Sequence, residues 1–243
     1  MKSEMRVLHM YGDMLDLYGD SGNMEVLRYR CGKRGIKCQV DGYSLGGQLP
    51  DLSKYDLIYI GGGADLEQQH ISADLLRCKE AIKKAYEGGT FLFLICGGYQ
   101  LMGKYYRDAD GNEIPGLGLF DYYTVAPASR RKRCISNIVV RTKFADVVGF
   151  ENHGGQTQGV KTPLGEVLFG NGNCSKSQYE GYFEENVIAT YMHGPCLSKN
   201  PELADYMIGY CLGRDGSPEP LAQLDDTLEK KCRQVMLDRL LKK

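Results

Sequence analysis

The chain has 243 residues, 42% of them apolar and 25% charged, with a formal net charge of −1. That length and balance fit one sizeable α/β domain with an ordinary core, and they exclude a chain whose overall basic field would draw nucleic acid. The longest apolar runs are too short to cross a bilayer, and MKSEMRVLHMYGD lacks an apolar signal core, so a cytoplasmic protein is expected.

MRVLHM (residues 5–10) reads as a first strand, followed by the Gly- and Asp-rich loop YGDMLDLYGDSGN. Helical spacing runs from Asn23 to Arg34 and stops at Gly35. IKCQVDGY (36–43) alternates like a strand, and DLIYI (56–60) is an apolar strand that ends at Gly61-Gly62-Gly63. A helix is expected over 71–87, closed by Gly88-Gly89, and TFLFLI (90–95) is a second fully apolar strand. Strands alternating with helices predict a mostly parallel sheet flanked by helices on both faces. Such sheets place ligands at the carboxyl ends of their strands. Between 116 and 192 the runs DYYTV, NIVVRT, VVGF, GEVLF, EGYF and NVIATYM are short and β-rich. They predict either an extension of the sheet or an antiparallel layer on the same domain. PELADYMIGYCLG (201–213) is helical, and 221–243 reads as an amphipathic helix. With no repeat or linker, residues 1–243 are expected to form one domain. Its C-terminal helix, within 218–243, would pack on that domain or dock on a partner.

Nine cysteines are scattered along the chain without a C-x-x-C pair, and only His193 and Cys196 stand at metal-like spacing, so no metal is expected. Cys96 differs from the others in its setting. A buried strand delivers it to Gly97-Gly98, and a helix starts at once, as in a nucleophile elbow. The helix start aims free N–H groups at the sulfur, and the N–H of Gly97 is placed to bind an oxyanion. A cysteine nucleophile needs a base, and the chain has four histidines. His9 sits inside the first strand and His70 heads a helix. His193 closes NVIATYMHGP and His153 follows an apolar strand in GFENHGGQT, so either could serve. Position favours His193. The Gly61–Gly63 turn reads as an ordinary tight turn, a phosphate loop without its GK[ST] ending, or an oxyanion loop offering Gly62 and Gly63 to Cys96.

Together these features resemble the type I glutamine amidotransferases, where a glycine loop and a cysteine elbow face a distant histidine. Cys96-Gly97-Gly98-Tyr99-Gln100 keeps that family's spacing from nucleophile to glutamine. The resemblance implies a flavodoxin-like, class I amidotransferase fold, and it implies that Gln100 contacts a bound L-glutamine. Leu94 stands where many members have Gly, and Pro195 where many have the glutamate of a triad. A Cys96–His193 dyad of the cobyric-acid-synthase-like branch is therefore expected, with Glu151 as a candidate orienting carboxylate. LYGDSGN, IGGGADLEQ, ICGGYQ, GFENHGGQT and YMHGP narrow the similarity to the GatD family, the glutaminase subunits of lipid II isoglutaminyl synthases.

That family implies a MurT-like, Mur-ligase-type synthetase as heterodimeric partner. ATP and Mg would lie on the partner, no cofactor on this chain, and the acceptor would be a lipid-linked peptidoglycan precursor. The resemblance further implies an arginine that anchors the glutamine carboxylate. Arg133 fits best and Arg130 is the alternative, although the run RRKR also reads as a solvated loop. Asn152 and His153 are implied as further substrate contacts, and Asp20 and Asn23 would hold the α-amino end or face the partner. Two other readings compete: a glutaminase serving a corrinoid synthetase, and a non-catalytic binding relative of the fold.

Overall fold

LIYI and FLFLI are apolar at every position, which suits strands covered on both faces. Every residue of both is buried in the computed structural model, which describes residues 2–129, 133–213 and 218–241. The first half runs β1 (Glu4–Met10), α1 (Gly22–Gly32), β2 (Lys37–Tyr43), β3 (Leu57–Ile60), α2 (Asp65–Arg77), α3 (Lys79–Glu87), β4 (Phe91–Ile95) and α4 (Gly97–Met102). Seven short strands follow: β5 (Tyr105–Arg107), β6 (Glu113–Pro115), β7 (Tyr123–Val125), β8 (Cys134–Thr142), β9 (Asp146–His153), β10 (Gln156–Gln158) and β11 (Gly165–Phe169). The chain closes with β12 (Tyr179–Glu180), β13 (Tyr182–Glu184), β14 (Val187–Thr190), β15 (Met192–His193), α5 (Pro201–Leu212) and α6 (Thr227–Leu241).

The main sheet has the order β13-β14-β4-β3-β1-β2, parallel except for β13 at its edge. From β1 the chain steps outward to β2 and then returns across β1 to β3, which makes the β1–β3 junction the switch point. Met10 pairs with Ile60, Ile60 with Leu94, and Ile95 with Thr190. The carboxyl ends are therefore level, and the loop after β1, Gly61, Cys96 and Tyr191 all emerge at one rim.

The β-rich half does both things expected of it. β13 and β14 extend the main sheet, while β12-β11-β8-β9-β15 and β10-β7-β5-β6 form separate sheets. One strand serves two of them: β14 ends in the main sheet at Thr190, and β15 pairs with β9 so that His193 lies opposite Phe150. The strand expected to end in His193 thus changes sheet at Tyr191.

Two helices differ from expectation. The stretch 71–87 belongs to two helices, broken at buried Cys78, and the first begins at Asp65. The C-terminal helix begins at Thr227 rather than 221, because the Asp225 carboxylate accepts from the Thr227 N–H and caps the start. Residues ahead of it run non-helically: Arg34 Nε donates to the Ala222 carbonyl at 2.7 Å, and Arg30 binds Asp226. α6 lies along β9, β11 and the turn Cys196–Lys199, with Arg233 donating to Glu202 at 2.7 Å. Leu228 and Val235 on it remain exposed. Among the described residues no helix is long and apolar enough to cross a membrane.

Candidate active site

β4 passes into α4 through a single residue, Cys96, whose φ of 49° and ψ of −98° lie outside the regions open to most L-residues. Such a conformation costs about 1–3 kcal/mol and persists where neighbours enforce it. The Cys96 N–H donates to the Thr190 carbonyl at 2.9 Å, and the Gln100 N–H to the Cys96 carbonyl at 2.9 Å. The thiol is held at the strand rim, 5% exposed.

His193 and Cys96 are neighbours, both within contact of the position a Cβ on Gly62 would take. The His193 Nδ1 donates to Asp20 Oδ2 at 2.6 Å, and both of these side chains are fully buried. Asp20 Oδ1 also accepts from the Gly194 N–H at 3.2 Å. With Nδ1 committed to the carboxylate, Nε2 is buried, makes no hydrogen bond among the described residues and is the ring atom left for a reaction partner. Burial alone would lower the imidazolium pKa. The Cys96 sulfur and the Asp20 carboxylate outweigh it and raise the pKa to about 10. The carboxylate that bonds His193 is therefore Asp20 rather than the expected Glu151. Glu151 accepts from Asn171 and from the Gly172 N–H, and its contribution is to hold that loop. Asp20 was expected at the substrate amine or the partner. It is turned inward, as is Asn23, whose Oδ1 accepts from the Leu197 N–H at 3.1 Å. Tyr18 stands edge-on over His193, with ring centroids 4.9 Å apart.

The glycine turn after β3 closes over the same residues. A Cβ on Gly62 would come within 2.7 Å of His193 Cε1 and 3.2 Å of Cys96 Cβ, so only glycine fits there. A Cβ on Gly97 would lie 3.2 Å from the Gly63 nitrogen, which shows how closely the two backbones approach. Gly97 opens α4, where an N–H has no acceptor within the helix.

A cavity of about 270 Å³, the size for one small ligand, opens beside the thiol. Cys96, Gly63, Gln100, Arg133, Asn152 and His153 all line it. Arg133 donates to Asn152 Oδ1 at 2.9 Å, and Asn152 Nδ2 to the Tyr18 hydroxyl at 2.5 Å. His153 stacks on Tyr191 with centroids 3.6 Å apart, and its Nδ1 donates to the Gly155 carbonyl at 2.7 Å. Of the two candidate bases, only His193 is hydrogen-bonded to a carboxylate, whereas His153 is the one that lines the cavity with Cys96. Gln100 is 2% exposed, with its amide bonded to Gln68 and Tyr191. Arg130 lies outside the described residues. A larger cleft, about 550 Å³ between Lys2, Asp56, Thr90 and Tyr210, opens elsewhere and has no histidine in its wall. Among the described residues no group of three or more His, Cys, Asp or Glu side chains is placed to hold a metal ion.

A nucleophile elbow, a carboxylate-bound histidine and a glycine turn around one small cavity define a cysteine-dependent acyl-transfer site. Residues 6–201 match the CobB/CobQ-like glutamine amidotransferase domain, and the chain belongs to that family. It is 39% identical over 237 residues to the lipid II isoglutaminyl synthase (glutamine-hydrolyzing) subunit GatD of Staphylococcus aureus (strain N315), covering 97% of this chain and 96% of that one. The GatD subunit of Streptococcus pneumoniae (strain ATCC BAA-255 / R6) is 36% identical over 240 residues, covering 97% and 91%. Among solved structures, a chain of PurLQS from Thermotoga maritima shares the fold, with a TM-score of 0.53 at 17% identity over 87% of this chain and 98% of that one.

Proposed function

We propose that this chain is the glutaminase subunit of a lipid II isoglutaminyl synthase. Cys96, held against His193 and Asp20 at the mouth of an amino-acid-sized cavity, is the observation that carries the chemistry. Similarity to two GatD subunits along 97% of the chain supports this acceptor over a corrinoid one.

L-glutamine enters with its α-carboxylate toward the Arg133 guanidinium, which offers paired donors to a carboxylate. Asn152 and His153 shape the same wall, and Gln100 closes its floor. His193 Nε2 takes the thiol proton as the Cys96 sulfur attacks the side-chain amide carbon. The carbonyl oxygen becomes an oxyanion, received by backbone N–H groups of Gly97 and the Gly62–Gly63 turn. His193 gives its Nε2 proton to the amide nitrogen, the C–N bond breaks, and ammonia leaves a γ-glutamyl thioester. Asp20 keeps the imidazole in the right tautomer and balances its charge. Water then adds to the thioester with His193 as base, glutamate departs, and the thiol is restored. None of these steps requires a cofactor on this chain.

The ammonia passes to a partner synthetase of the MurT type, a Mur-ligase-like protein that carries ATP and Mg. The partner activates the α-carboxyl of D-glutamate in the lipid II stem peptide, and ammonia converts it to D-isoglutamine. The pair forms a carbon–nitrogen ligase of peptidoglycan biosynthesis, working in the cytoplasm on a membrane-anchored precursor. The chain acts as one glutamine amidotransferase domain that carries its own C-terminal helix.

Treatment with an electrophilic glutamine analogue, followed by peptide mass spectrometry, tests this. Labelling confined to Cys96 and suppressed by L-glutamine is expected, in the free chain or in its complex with the synthetase. Scattered labelling, or none in either form, would overturn the proposal.

A further inference from the structure

Gly63 donates to the proposed oxyanion through its N–H, so the orientation of the Gly62–Gly63 peptide decides whether that donor is in place. The turn has no regular secondary structure to hold it. Three contacts pin it instead, and in the first the Gly98 N–H of α4 donates to the Gly61 carbonyl at 3.1 Å. The Leu17 N–H donates to the Gly62 carbonyl at 3.1 Å. Gln68 Nε2, from α2, donates at 3.2 Å to the Gly63 carbonyl, which belongs to the following peptide, Gly63–Ala64, and so holds the far side of the turn. In a trans peptide the N–H points opposite to the preceding carbonyl. With the Gly62 carbonyl drawn to Leu17, the Gly63 N–H is turned the other way.

Gln68 does more than hold one carbonyl. The same Nε2 donates to Gln100 Oε1 at 3.0 Å, and Gln100 Nε2 donates to the Tyr191 hydroxyl at 3.2 Å. That hydroxyl shares a hydrogen bond with Thr157 at 2.6 Å. The chain of bonds thus ties the turn after β3, the helix that opens at Cys96, and the crossing from β14 to β15 that leads to His193. The Gln68 amide cannot flip within it, because the Gly63 carbonyl only accepts. Its own Oε1 is buried and makes no hydrogen bond among the described residues. An unmatched buried carbonyl is costly, and an apolar side chain of the same length would avoid it. A glutamine here is explained by what its Nε2 holds.

We propose that Gln68 is a positioning residue for the amidotransferase reaction, fixing the Gly63 turn as an oxyanion site and locking it to the helix that carries Cys96. This rests on the glutaminase reading above. Gln68 lines the cavity beside Cys96, but its Nε2 is taken up by the Gly63 carbonyl and Gln100, so its action is through the turn. Losing it should therefore slow formation and breakdown of the tetrahedral intermediate more than it weakens glutamine binding.

Two substitutions test this in the full chain, together with the synthetase if activity requires it. Gln68→Met keeps the length and removes the donor. Its kcat for glutamine hydrolysis should fall at least about tenfold, the low end for disturbing one oxyanion donor, while KM stays within about threefold. Alkylation of Cys96 by iodoacetamide, which makes no oxyanion, should keep its wild-type rate. Gln68→Glu places a carboxylate against two acceptors, the Gly63 carbonyl and Gln100 Oε1. Protonation restores one O–H donor, so its kcat relative to wild type should rise as the pH falls from about 8 to about 5.5. Asp65, Cys96, Arg133 and His153 share the cavity wall, and taking the ratio to wild type at each pH cancels their titration. A Gln68→Met enzyme with wild-type kcat would overturn the proposal, as would a rise in KM alone or a flat Gln68→Glu ratio. Failure of the glutaminase reading looks different: the wild-type chain itself would not turn glutamine over.

Discussion

Asp20 and His193 are 173 residues apart in sequence, yet Asp20 Oδ2 accepts a 2.6 Å hydrogen bond from His193 Nδ1 with both side chains out of solvent. The contact joins the loop after β1 to the rim where β15 ends. The Tyr59 hydroxyl donates to the Asp20 carbonyl at 3.0 Å, so the loop is tied down from β3 as well. Asp20, the glycine turn, Cys96 and His193 come from the loop after β1, the end of β3, the end of β4 and the end of β15 in turn.

Replacing the carboxylate tests what the contact does. Asp20→Asn keeps the shape, but its amide can offer N–H to the ring and favour the wrong tautomer. We expect kcat to fall by about 10²- to 10⁴-fold, the scale seen when a triad carboxylate is lost. The histidine should also titrate differently. Its folded pKa of about 10 lies above the ordinary value of 6.5, so the pairing adds stability below about pH 6.5 that is lost as the pH rises through about 10. Asp20→Asn should move that alkaline loss toward neutral pH. Urea unfolding between pH 6 and 10 would show the shift, and an unchanged profile would contradict it.

Arg133 should act on binding rather than on chemistry. A charge-assisted bond to a carboxylate contributes about 1.5–3 kcal/mol. Arg133→Ala should therefore raise KM for glutamine about 10- to 100-fold with little change in kcat. Arg133→Lys should recover part of the loss, because a point charge lacks the paired fork. Arg130→Ala should leave KM within about twofold, and the reverse pattern would move the anchor to Arg130.

Cys96 and His193 were legible because strand ends and residue chemistry both point to them, and a parallel sheet puts all such ends on one rim. Asp20 was not singled out as the orienting group. The loop after β1 offers Asp13, Asp16 and Asp20 alike, and only tertiary packing chooses which one meets a histidine from the far end of the chain. The signal that could have found it was its place at the switch point. Glu151 misled for a related reason. It pairs with Met192 beside His193 in the ladder, but its carboxylate turns to Asn171 and Gly172. Gln68 closes the quoted IGGGADLEQ stretch, but it lay ahead of the expected helix and nothing in its residue type pointed to a role. The strands β5, β6 and β10 were too short, at three residues each, to show a period.

Away from the cavity, Arg30 makes a strong prediction for stability. It is 2% exposed and donates from Nε and Nη2 to Asp205, both at 2.7 Å, and from Nη1 to Asp226 at 2.6 Å. Arg34 shares Asp205. Burial works against the charge, but the two carboxylates outweigh it and hold the guanidinium pKa above its ordinary value. Arg30→Ala strands Asp226 and leaves Asp205 to Arg34 alone, and should cost about 3–5 kcal/mol. For a chain of this size that lowers Tm on the order of 10 °C, readable by calorimetry. A shift under about 3 °C would mean that the cluster is solvated.

Glu180 supplies the last prediction. It is fully buried behind β14, where its Oε1 accepts from the Tyr191 N–H at 2.7 Å and the Thr190 hydroxyl at 2.9 Å. Its Oε2 is buried and makes no hydrogen bond among the described residues, which is a natural place for a proton. Burial, only partly offset by those two donors, raises its pKa from 4.5 to about 7. The folded state therefore holds this proton more tightly than the unfolded chain. The stability it contributes is complete below about pH 4.5 and is lost as the pH rises through about 7. The difference corresponds to at most about 3 kcal/mol. Glu180→Gln keeps an acceptor for both donors and cannot ionise. Its unfolding free energy should change less with pH between about 4.5 and 7 than that of the wild type. Parallel profiles for the two proteins would show that Glu180 ionises as readily in the fold as outside it.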